Sequence, residues 1–270
     1  MRLFVTGLGG YLGHAIAAAT PEGVVVSGTV RSRPAPAGVR AFAIDVRDEG
    51  AIGAALDDVR ADAVVHTAYV QGAADERSVN VDGAAAVARA AAARGLRLVH
   101  ISSDLVFGGD LGRPVREEDP PAPKTQYGAT KAAAERFVAA AHPKAVLVRT
   151  SLIYGGAEPS DHERRALDGG MTFYADEIRC PVAAPDLAAA VIELAGLRGV
   201  SGPLHVAGAD AVTRLEFARL VAAAHGRDPD ALRGGPHPPG RPGDIRLDCS
   251  RAAALLTTRL RGVREVLAAG

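Results

Sequence analysis

Short apolar segments alternate with longer alanine-rich segments through the first 150 residues of the chain. The apolar segments are rich in β-branched residues and largely continuous, as expected of strands covered on both faces of a parallel sheet. They predict strands at 3–6, 24–30, 40–44, 63–66, 96–101 and 146–149, and the alanine-rich segments predict helices at 11–19, 48–59, 75–94 and 126–141. This alternation indicates right-handed βαβ units and therefore an α/β fold with a Rossmann-type, doubly wound parallel sheet.

The hydrophobic pattern becomes irregular after Arg149. Residues 155–181 show no clear periodicity, while helices are expected at 186–197 and 214–225 and a strand at 203–206. The Gly- and Pro-rich stretch 234–242 is expected to lack regular structure and to form a loop over a site. We therefore predict a dinucleotide-binding domain over 1–150, with 186–206 packing back onto it. The segments 151–185 and 207–270 are expected to form a small interleaved C-terminal substrate-binding lobe.

Composition places the chain among globular proteins. Apolar residues make up 48% and charged residues 23% of its 270 residues, which excludes disordered and fibrous classes. The 31 basic and 31 acidic side chains balance, which argues against nucleic acid or a membrane surface as the main partner. The chain has neither an apolar run of about 18 residues nor a signal-peptide pattern, so a cytoplasmic location is expected. Cys180 and Cys249 are far apart and lack metal-ligand spacing, so neither a disulfide framework nor a metal site is predicted.

A glycine-rich turn follows the first predicted strand and opens the first predicted helix. This is the context of a dinucleotide-binding turn, in which glycines allow close backbone approach and the helix N-terminus faces a pyrophosphate. The alternative is a glycine-rich loop that holds no ligand. The cofactor contacts predicted here are Gly7, Gly9, Gly10, Tyr11, Leu12 and Gly13.

The residues after the second predicted strand bear on the choice of cofactor. An NAD site usually has an acidic residue there to bind the ribose hydroxyls, whereas this chain has Arg31 and Arg33. Guanidinium groups suit a 2′-phosphate, so we predict NADP(H) in preference to NAD(H). The alternative is that both arginines are solvated loop charges. Asp45 and Val46 follow the third strand and are predicted to contact the adenine, although Asp45 is also a candidate cap for the helix at 48–59.

Tyr127 and Lys131 lie one helical turn apart on the helix predicted at 126–141. A phenol has a pKa of about 10, so it needs a nearby cation to act as an acid or base near neutrality. Lysine can supply that charge and can also reach a cofactor ribose. Tyr127 follows Ser103 by 24 residues, and Ser103 stands just after a predicted strand, where ligands bind in open α/β sheets.

The order of these motifs resembles the extended short-chain dehydrogenase/reductase superfamily. The chain is most similar to the dTDP-4-dehydrorhamnose reductase family and its sugar-nucleotide-binding relatives. The resemblance spans nearly the whole chain and is carried by Thr6-Gly7-x-x-Gly10-x-x-Gly13, His66-Thr67-Ala68, Asn80-Val81-Asp82-Gly83, Ser102-Ser103-Asp104-Leu105-Val106-Phe107-Gly108-Gly109, Tyr127-Gly128-x-x-Lys131, Arg149-Thr150-Ser151-Leu152-Ile153-Tyr154-Gly155 and Pro185-Asp186-Leu187-Ala188.

The resemblance implies a catalytic set. Ser103 would hydrogen-bond the substrate carbonyl, Tyr127 would give it a proton, and Lys131 would lower the pKa of Tyr127 and hold the ribose. Ser102 would replace Ser103 if the alignment slips by one residue. Asn80 would have a structural or water-positioning role, or a local hydrogen bond within its helix.

Further residues are implied to line the cofactor and substrate sites. His66, Thr67 and Ala68 would lie beside the cofactor. Asp104, Arg179 and Arg241 would contact the substrate, with Arg179 and Arg241 as candidates for its diphosphate or sugar; surface salt bridges are the alternative for these two arginines.

The implied function is NADPH-dependent reduction of a keto group on a nucleotide-linked deoxy-sugar. A sugar-nucleotide epimerase and a non-catalytic NADP-binding regulatory subunit are the alternatives. The segments 69–73 and 176–182 depart from the family pattern in substrate-contacting regions, so the sequence supports the reaction type better than the substrate. Alanine-rich segments within 84–93 and 132–141 suggest a helical interface and hence a homodimer.

Overall fold

A seven-stranded parallel sheet forms the centre of the computed structural model, which describes residues 1–268. The strands are β1 (Arg2–Thr6), β2 (Val25–Val30), β3 (Arg40–Ala43), β4 (Ala63–His66), β5 (Arg97–Ile101), β6 (Val146–Arg149), β7 (Ile153–Tyr154), β8 (Thr172–Tyr174), β9 (Ile178–Arg179), β10 (Val182–Ala183), β11 (Gly202–His205), β12 (Val212–Thr213) and β13 (Arg233–Gly235). The central sheet has the order β11-β6-β5-β4-β1-β2-β3. The predicted doubly wound parallel sheet is thus confirmed.

Helices cover both faces of this sheet. They are α1 (Tyr11–Ala18), α2 (Glu49–Asp58), α3 (Ala84–Ala93), α4 (Gln126–Ala141), α5 (Asp161–Asp168), α6 (Ala184–Gly196), α7 (Arg214–Ala224), α8 (Ser250–Leu255) and α9 (Val263–Ala268). Alternate strand residues point to opposite faces. Leu3 and Val5 therefore pack with α1 and α6, while Phe4 packs with α2, α3 and α4.

The helix predicted at 75–94 is divided in two. Ser78–Gly83 forms a π-helical turn, and α3 continues directly from it. A side chain at Gly83 would place its Cβ only 2.7 Å from Cγ2 of Val46, so a glycine lets the two segments pack closely here. The alanines of α3 are mostly buried within the chain itself, as are Ala133 and Ala134 of α4. The alanine pattern therefore does not mark a free helical face, and the homodimer stays a prediction without that support.

The C-terminal half contains more regular structure than its sequence pattern suggested. The segment 155–181, expected to be irregular, contains α5, β8 and β9, and the Gly-rich stretch 234–242 begins in β13, which pairs in parallel with β8. Phe173 and Phe217 are buried in a separate apolar core between these elements and α7. β11 joins the central sheet beside β6. The last two positions of the predicted lobe segment 207–270 lie outside the described residues.

Neither a membrane-spanning helix nor a cluster of metal ligands is present among the residues that the structure describes. Within residues 1–268, no helix is both long and apolar enough to cross a membrane. The same residues contain no group of three or more His, Cys, Asp or Glu side chains arranged to hold a metal ion.

Candidate active site

The glycine turn, the loop that begins at Thr67 and the two serines Ser102 and Ser103 lie at the carboxyl ends of β1, β4 and β5. β1 lies between β2 and β4, so the chain leaves the centre of the sheet in opposite directions on its two sides. In open α/β sheets the crevice at this switch point is where ligands bind. The turn after β1 contacts the loop after β4, where a Cβ on Gly7 would lie 2.8 Å from Cα of Ala68, and the start of α4 contacts the residues after β5.

The glycine turn has no room for side chains. Gly7 has a φ of +73°, in the left-handed region that favours glycine. A Cβ on Gly9 would lie 2.3 Å from the carbonyl oxygen of Arg33, and one on Gly13 would lie 2.5 Å from that of Leu8. The turn is further held by a 2.8 Å hydrogen bond from the Leu8 N–H to the Thr29 carbonyl. The result is a bare backbone cradle at the N-terminus of α1, which fits the pyrophosphate of a dinucleotide.

Arg31 follows β2 and has an acidic neighbour, and its contact with a cofactor stays a prediction. The Arg31 side chain is 53% exposed and lies 3.4 Å from Asp75. Arg47, which the sequence did not single out, lies 3.7 Å from Asp75 and also binds Asp45 and Ser78. The sequence alone does not show that Arg31 and Arg47 lie near the same aspartate, because the two arginines follow different strands, β2 and β3.

Asp45 does not cap α2. The cap is Asp48, whose carboxylate accepts a 2.9 Å hydrogen bond from the Ala51 N–H. Asp45 instead binds the guanidinium of Arg47, and this hydrogen bonding lowers the pKa of Asp45 to about 2. Val46 is buried against the π-helical turn.

Buried polar groups at the end of β1 hold the loop after β4 in place. The Thr6 hydroxyl lies 2.6 Å from Nδ1 of His66, and the Thr67 hydroxyl donates to the Thr6 carbonyl at 2.7 Å. The rings of His66 and His100 stack at a centroid distance of 5.1 Å. Burial lowers the pKa of His66 to about 3, so its imidazole is neutral under ordinary conditions.

Asn80 anchors the same loop from the opposite side. Its side-chain amide exchanges two 2.9 Å hydrogen bonds with the backbone of Val70 and donates to the Thr130 hydroxyl at 3.1 Å. The alternative of a local bond within its own helix is therefore wrong. Asn80 ties the loop after β4 to α4.

Local interactions set the start of α4 and thereby place Tyr127 and Lys131. The Thr125 hydroxyl caps the helix by accepting a 3.0 Å hydrogen bond from the Gly128 N–H. A Cβ on Gly128 would lie 2.0 Å from the Leu105 carbonyl oxygen, so only glycine permits this approach of α4 to the residues after β5. Tyr127 and Lys131 consequently lie beside the Ser102–Ser103 segment.

Burial shifts both ionisable groups of this pair toward their neutral forms. It raises the pKa of Tyr127 well above its ordinary value, and the Ser103 hydroxyl opposes that rise through a hydrogen bond. Lys131 is 3% exposed, its ammonium donates to the Ile101 carbonyl at 2.6 Å, and burial lowers its pKa to about 8. Burial sets the direction of the Tyr127 shift, and the lowering of its pKa by Lys131 stays a prediction.

The two serines after β5 have different surroundings. The Ser102 hydroxyl donates to Oε1 of Glu135 at 2.5 Å in the interior. The Ser103 hydroxyl accepts from the Leu105 N–H and donates to Asp104, both at 3.2 Å, and it is the serine that lowers the pKa of Tyr127 against the effect of burial. The alternative with Ser102 in the catalytic position is not supported by this geometry.

A buried charged cluster extends from Asp104 into the C-terminal lobe. Burial raises the pKa of the Asp104 carboxyl, although the guanidinium of Arg179 lies 3.6 Å away. Arg179 is only 1% exposed and donates to the carbonyl oxygens of Ile178, Pro242 and Gly243. In this structure Arg179 is thus closed in by protein groups, and a direct contact with substrate stays a prediction.

Arg241 occupies a more open position in the same cluster. Its guanidinium binds the buried Glu177 carboxylate and lies 5.4 Å from the centre of the Tyr174 ring, with 38% of the side chain exposed. Arg214 also approaches Glu177, at 3.9 Å, and burial lowers its pKa to about 10. Glu177 and Arg214 were not predicted, because neither stands in a motif that indicates chemistry. Three arginines and two acids give this region an excess of positive charge.

The chain is similar to known proteins over almost its full length. It matches the family described as RmlD substrate binding domain over residues 1–269. It is 34% identical to a dTDP-4-dehydrorhamnose reductase of Mycolicibacterium smegmatis over 284 residues, covering 98% of this chain and 84% of that protein. It is 29% identical to methionine adenosyltransferase 2 subunit beta of Pongo abelii over 286 residues, with coverage of 94% and 82%. A dTDP-4-dehydrorhamnose reductase structure from Bacillus anthracis, in complex with NADP, superimposes with a TM-score of 0.83 at 24% identity, covering 98% of this chain and 96% of that one.

Proposed function

The chain belongs to the RmlD substrate binding domain family, and from this premise we propose that it is an NADPH-dependent reductase of a keto group on a nucleotide-linked deoxy-sugar. The observation that carries the proposal is the meeting of Ser103, Tyr127 and Lys131 at the crevice beside the glycine cradle. A glycine cradle alone would serve any dinucleotide-binding protein. A hydroxyl, a phenol and a buried lysine beside it are the groups that carbonyl reduction requires.

Ser103 and Tyr127 act on the carbonyl oxygen of the substrate in this proposal. When bound, NADPH supplies the hydride. Ser103 donates a hydrogen bond to the carbonyl oxygen, and Tyr127 gives that oxygen its proton. The raised pKa of Tyr127 keeps the phenol protonated at neutral pH, so the proton donor is ready before the reaction.

Lys131 provides positive charge beside the phenolate that proton transfer leaves behind. Its ammonium is held by the Ile101 carbonyl, which leaves two further N–H donors. One of these is proposed to bind the ribose of the cofactor. With a pKa of about 8, Lys131 is mostly protonated at neutral pH and loses its charge as the pH rises above that value.

The lobe offers a site for the anionic part of the substrate. Arg241 is half-buried with 38% of its side chain exposed, and Arg214 lies 3.9 Å from the same Glu177 carboxylate. Arginine binds phosphate groups through charge-assisted hydrogen bonds. We assign Arg241 to the diphosphate of a nucleotide sugar, with Asp104 facing the sugar. The Bacillus anthracis relative is in complex with NADP, which supports NADPH as the proposed cofactor. The assignment of Arg31 and Arg33 to its 2′-phosphate is proposed from their position after β2.

The proposal is tested by NADPH consumption with a panel of 4-keto-6-deoxy nucleotide sugars. Wild type is expected to oxidise NADPH with at least one of them. Tyr127→Phe keeps the ring but removes the proton donor, so kcat should fall by about 10²- to 10⁴-fold while NADPH affinity changes little. If Tyr127→Phe kept more than about a tenth of the wild-type rate, the role of Tyr127 as proton donor would be wrong.

A non-catalytic subunit is the second candidate function. The similarity to methionine adenosyltransferase 2 subunit beta favours it, because that protein is named as a subunit. The presence of Ser103, Tyr127 and Lys131 together argues against it. Binding of NADPH without turnover of any substrate in the panel would select this candidate over the reductase.

A further inference from the structure

A buried ion pair lies directly behind the proposed catalytic residues. Glu135 and Arg149 are 4% and 3% exposed, and the arginine donates to the carboxylate at 2.9–3.3 Å through Nε and Nη2. The same carboxylate accepts the 2.5 Å hydrogen bond from Ser102. Glu135 thus connects α4 to the residue after β5 and to the last residue of β6.

The position of Glu135 along α4 relates it to the catalytic pair. Tyr127, Lys131 and Glu135 are spaced four residues apart and share one face of the helix. Ser102, which Glu135 binds, immediately precedes Ser103. A shift of Glu135 would therefore move both sides of the reaction site, the helix that carries Tyr127 and Lys131 and the segment that carries Ser103.

Stability alone does not account for burying these charges. Removing two charges from water costs several kcal/mol, and apolar residues of similar size often serve a fold equally well. Arg149 is held further by the Glu117 carbonyl at 3.1 Å and lies 4.9 Å from the centre of the Phe107 ring, so its orientation is fixed. A bidentate hydrogen-bonded pair between a fixed guanidinium and a carboxylate restricts both the position and the orientation of the carboxylate.

We propose that Glu135 is a positioning residue, which through Arg149 and Ser102 holds Lys131 and Ser103 in the geometry needed for reduction. The inference rests on the proposed function. It adds to that function a residue that does not touch substrate or cofactor and acts through the two that do.

Glu135 also acts on Lys131 through its charge. The carboxylate is the group that opposes the effect of burial on Lys131 and so favours its ammonium form. The other titratable groups facing Lys131 are His66 on β4, His100 on β5 and Tyr127. Both histidines have lowered pKa values and Tyr127 a raised one, so none of the three changes charge between pH 6 and pH 9. A change in protonation observed for Lys131 in this pH range is therefore its own and does not arise from these neighbours.

The experiment compares two variants with a matched control. Glu135→Gln keeps the shape of the side chain and removes its charge. The double variant Glu135→Leu with Arg149→Met removes both charges and keeps apolar volume, which preserves the fold if the single variant does not. The control makes the matching exchanges, Asp186→Asn and the double variant Asp186→Leu with Arg261→Met. These two residues form a 2.6 Å ion pair between α6 and the segment before α9, away from the reaction site.

The first measurement is independent of turnover. The chain has three lysines, Lys124, Lys131 and Lys144, so side-chain NMR of lysine-labelled protein resolves Lys131 directly. Its titration midpoint is expected to fall by roughly half to one pH unit in Glu135→Gln and to stay unchanged in the control. An unchanged midpoint in Glu135→Gln would overturn the electrostatic part of the inference even if no substrate is turned over.

The second measurement separates positioning from stability. In the double variant the free energy of unfolding is expected to remain near wild type, while kcat falls at least tenfold and the KM for NADPH changes less. A double variant that is stable and retains wild-type kcat would show that the ion pair only supports the fold. Failure of the wild type itself to turn over any substrate would instead refute the proposed function.

Discussion

Burying Lys131 has a free-energy cost that should be measurable in the protein without ligands. Burial lowers the pKa of Lys131 from 10.5 to about 8. One pKa unit corresponds to 1.36 kcal/mol, so the charged form is disfavoured in the fold by about 3 kcal/mol. Because Lys131 is only 3% exposed, solvent does little to screen this effect.

The direction in which the free energy of unfolding changes with pH follows from how many protons the folded and unfolded states bind. Below pH 8 the lysine is charged in both states and the full cost is present. Between pH 8 and 10.5 the unfolded chain binds the proton and the folded chain does not, so stability rises with pH. For a single site with these pKa values, the rise from pH 7 to pH 9.5 is about 2 kcal/mol.

The comparison is Lys131→Met against wild type, with the exposed Lys144→Met as control. Urea unfolding followed by circular dichroism gives the free energy of unfolding at pH 7 and pH 9.5. All other titrating groups are shared, so wild type and Lys144→Met should gain about 2 kcal/mol relative to Lys131→Met over this interval. Equal changes in all three proteins would show that Lys131 is not desolvated as the structure indicates.

Two further predictions concern the cofactor cradle. The double variant Arg31→Ala with Arg33→Ala should bind NADPH about ten- to fifty-fold more weakly in a fluorescence titration, with NADH binding nearly unchanged and the difference shrinking in salt; equal wild-type affinities for the two cofactors would contradict it. Tyr11→Phe removes the hydroxyl that accepts a 2.7 Å hydrogen bond from the Gly156 N–H and lies 3.3 Å from Glu163, so thermal unfolding should show a loss of about 1–3 kcal/mol, whereas no loss would mean that water replaces the tyrosine.

The first half of the chain could be predicted because its signals are local. A strand buried on both faces must be continuously apolar, and a turn that bends straight into a helix must contain glycine; both rules apply within a few residues. The strands at 63–66 and 146–149 accordingly have the bounds that were predicted. The helix at 126–141 also has its predicted bounds, and the other predicted strands and helices of this half differ by one residue at one or both ends. The helix at 75–94 is the exception, because close packing against Val46 accompanies a π-helical turn that no local pattern signals.

The C-terminal half carried one local signal that was overlooked. Ser160 and Glu163 form a capping box at the start of α5, in a segment expected to be irregular. The pairing of β8 with β13 is different in kind, because it joins Thr172–Tyr174 to a Gly-rich segment about 60 residues later. No pattern in the sequence around Gly234 predicts that this segment pairs with β8. Glycine has a low strand propensity, so the strand forms here only because of the tertiary contact.

The charges that surround the site were the least predictable feature, and they explain how it keeps a working set of ionisation states. Burial by itself favours neutral forms, and it moves Tyr127 and Lys131 in opposite directions, away from neutral pH for the phenol and toward it for the amine. Burial alone is enough to keep Tyr127 protonated, because it raises the pKa of the phenol. Burial has the opposite effect on Lys131, whose charged form it disfavours. The negative charge of Glu135, one helical turn away, counteracts this by raising the pKa of the lysine. That carboxylate is itself tolerated in the interior only because Arg149 and Ser102 bind it. The family motif that contains Tyr127 and Lys131 is therefore incomplete as a description of the site: the lysine's charge depends on partners from β6 and from the residue after β5, which only the fold brings together.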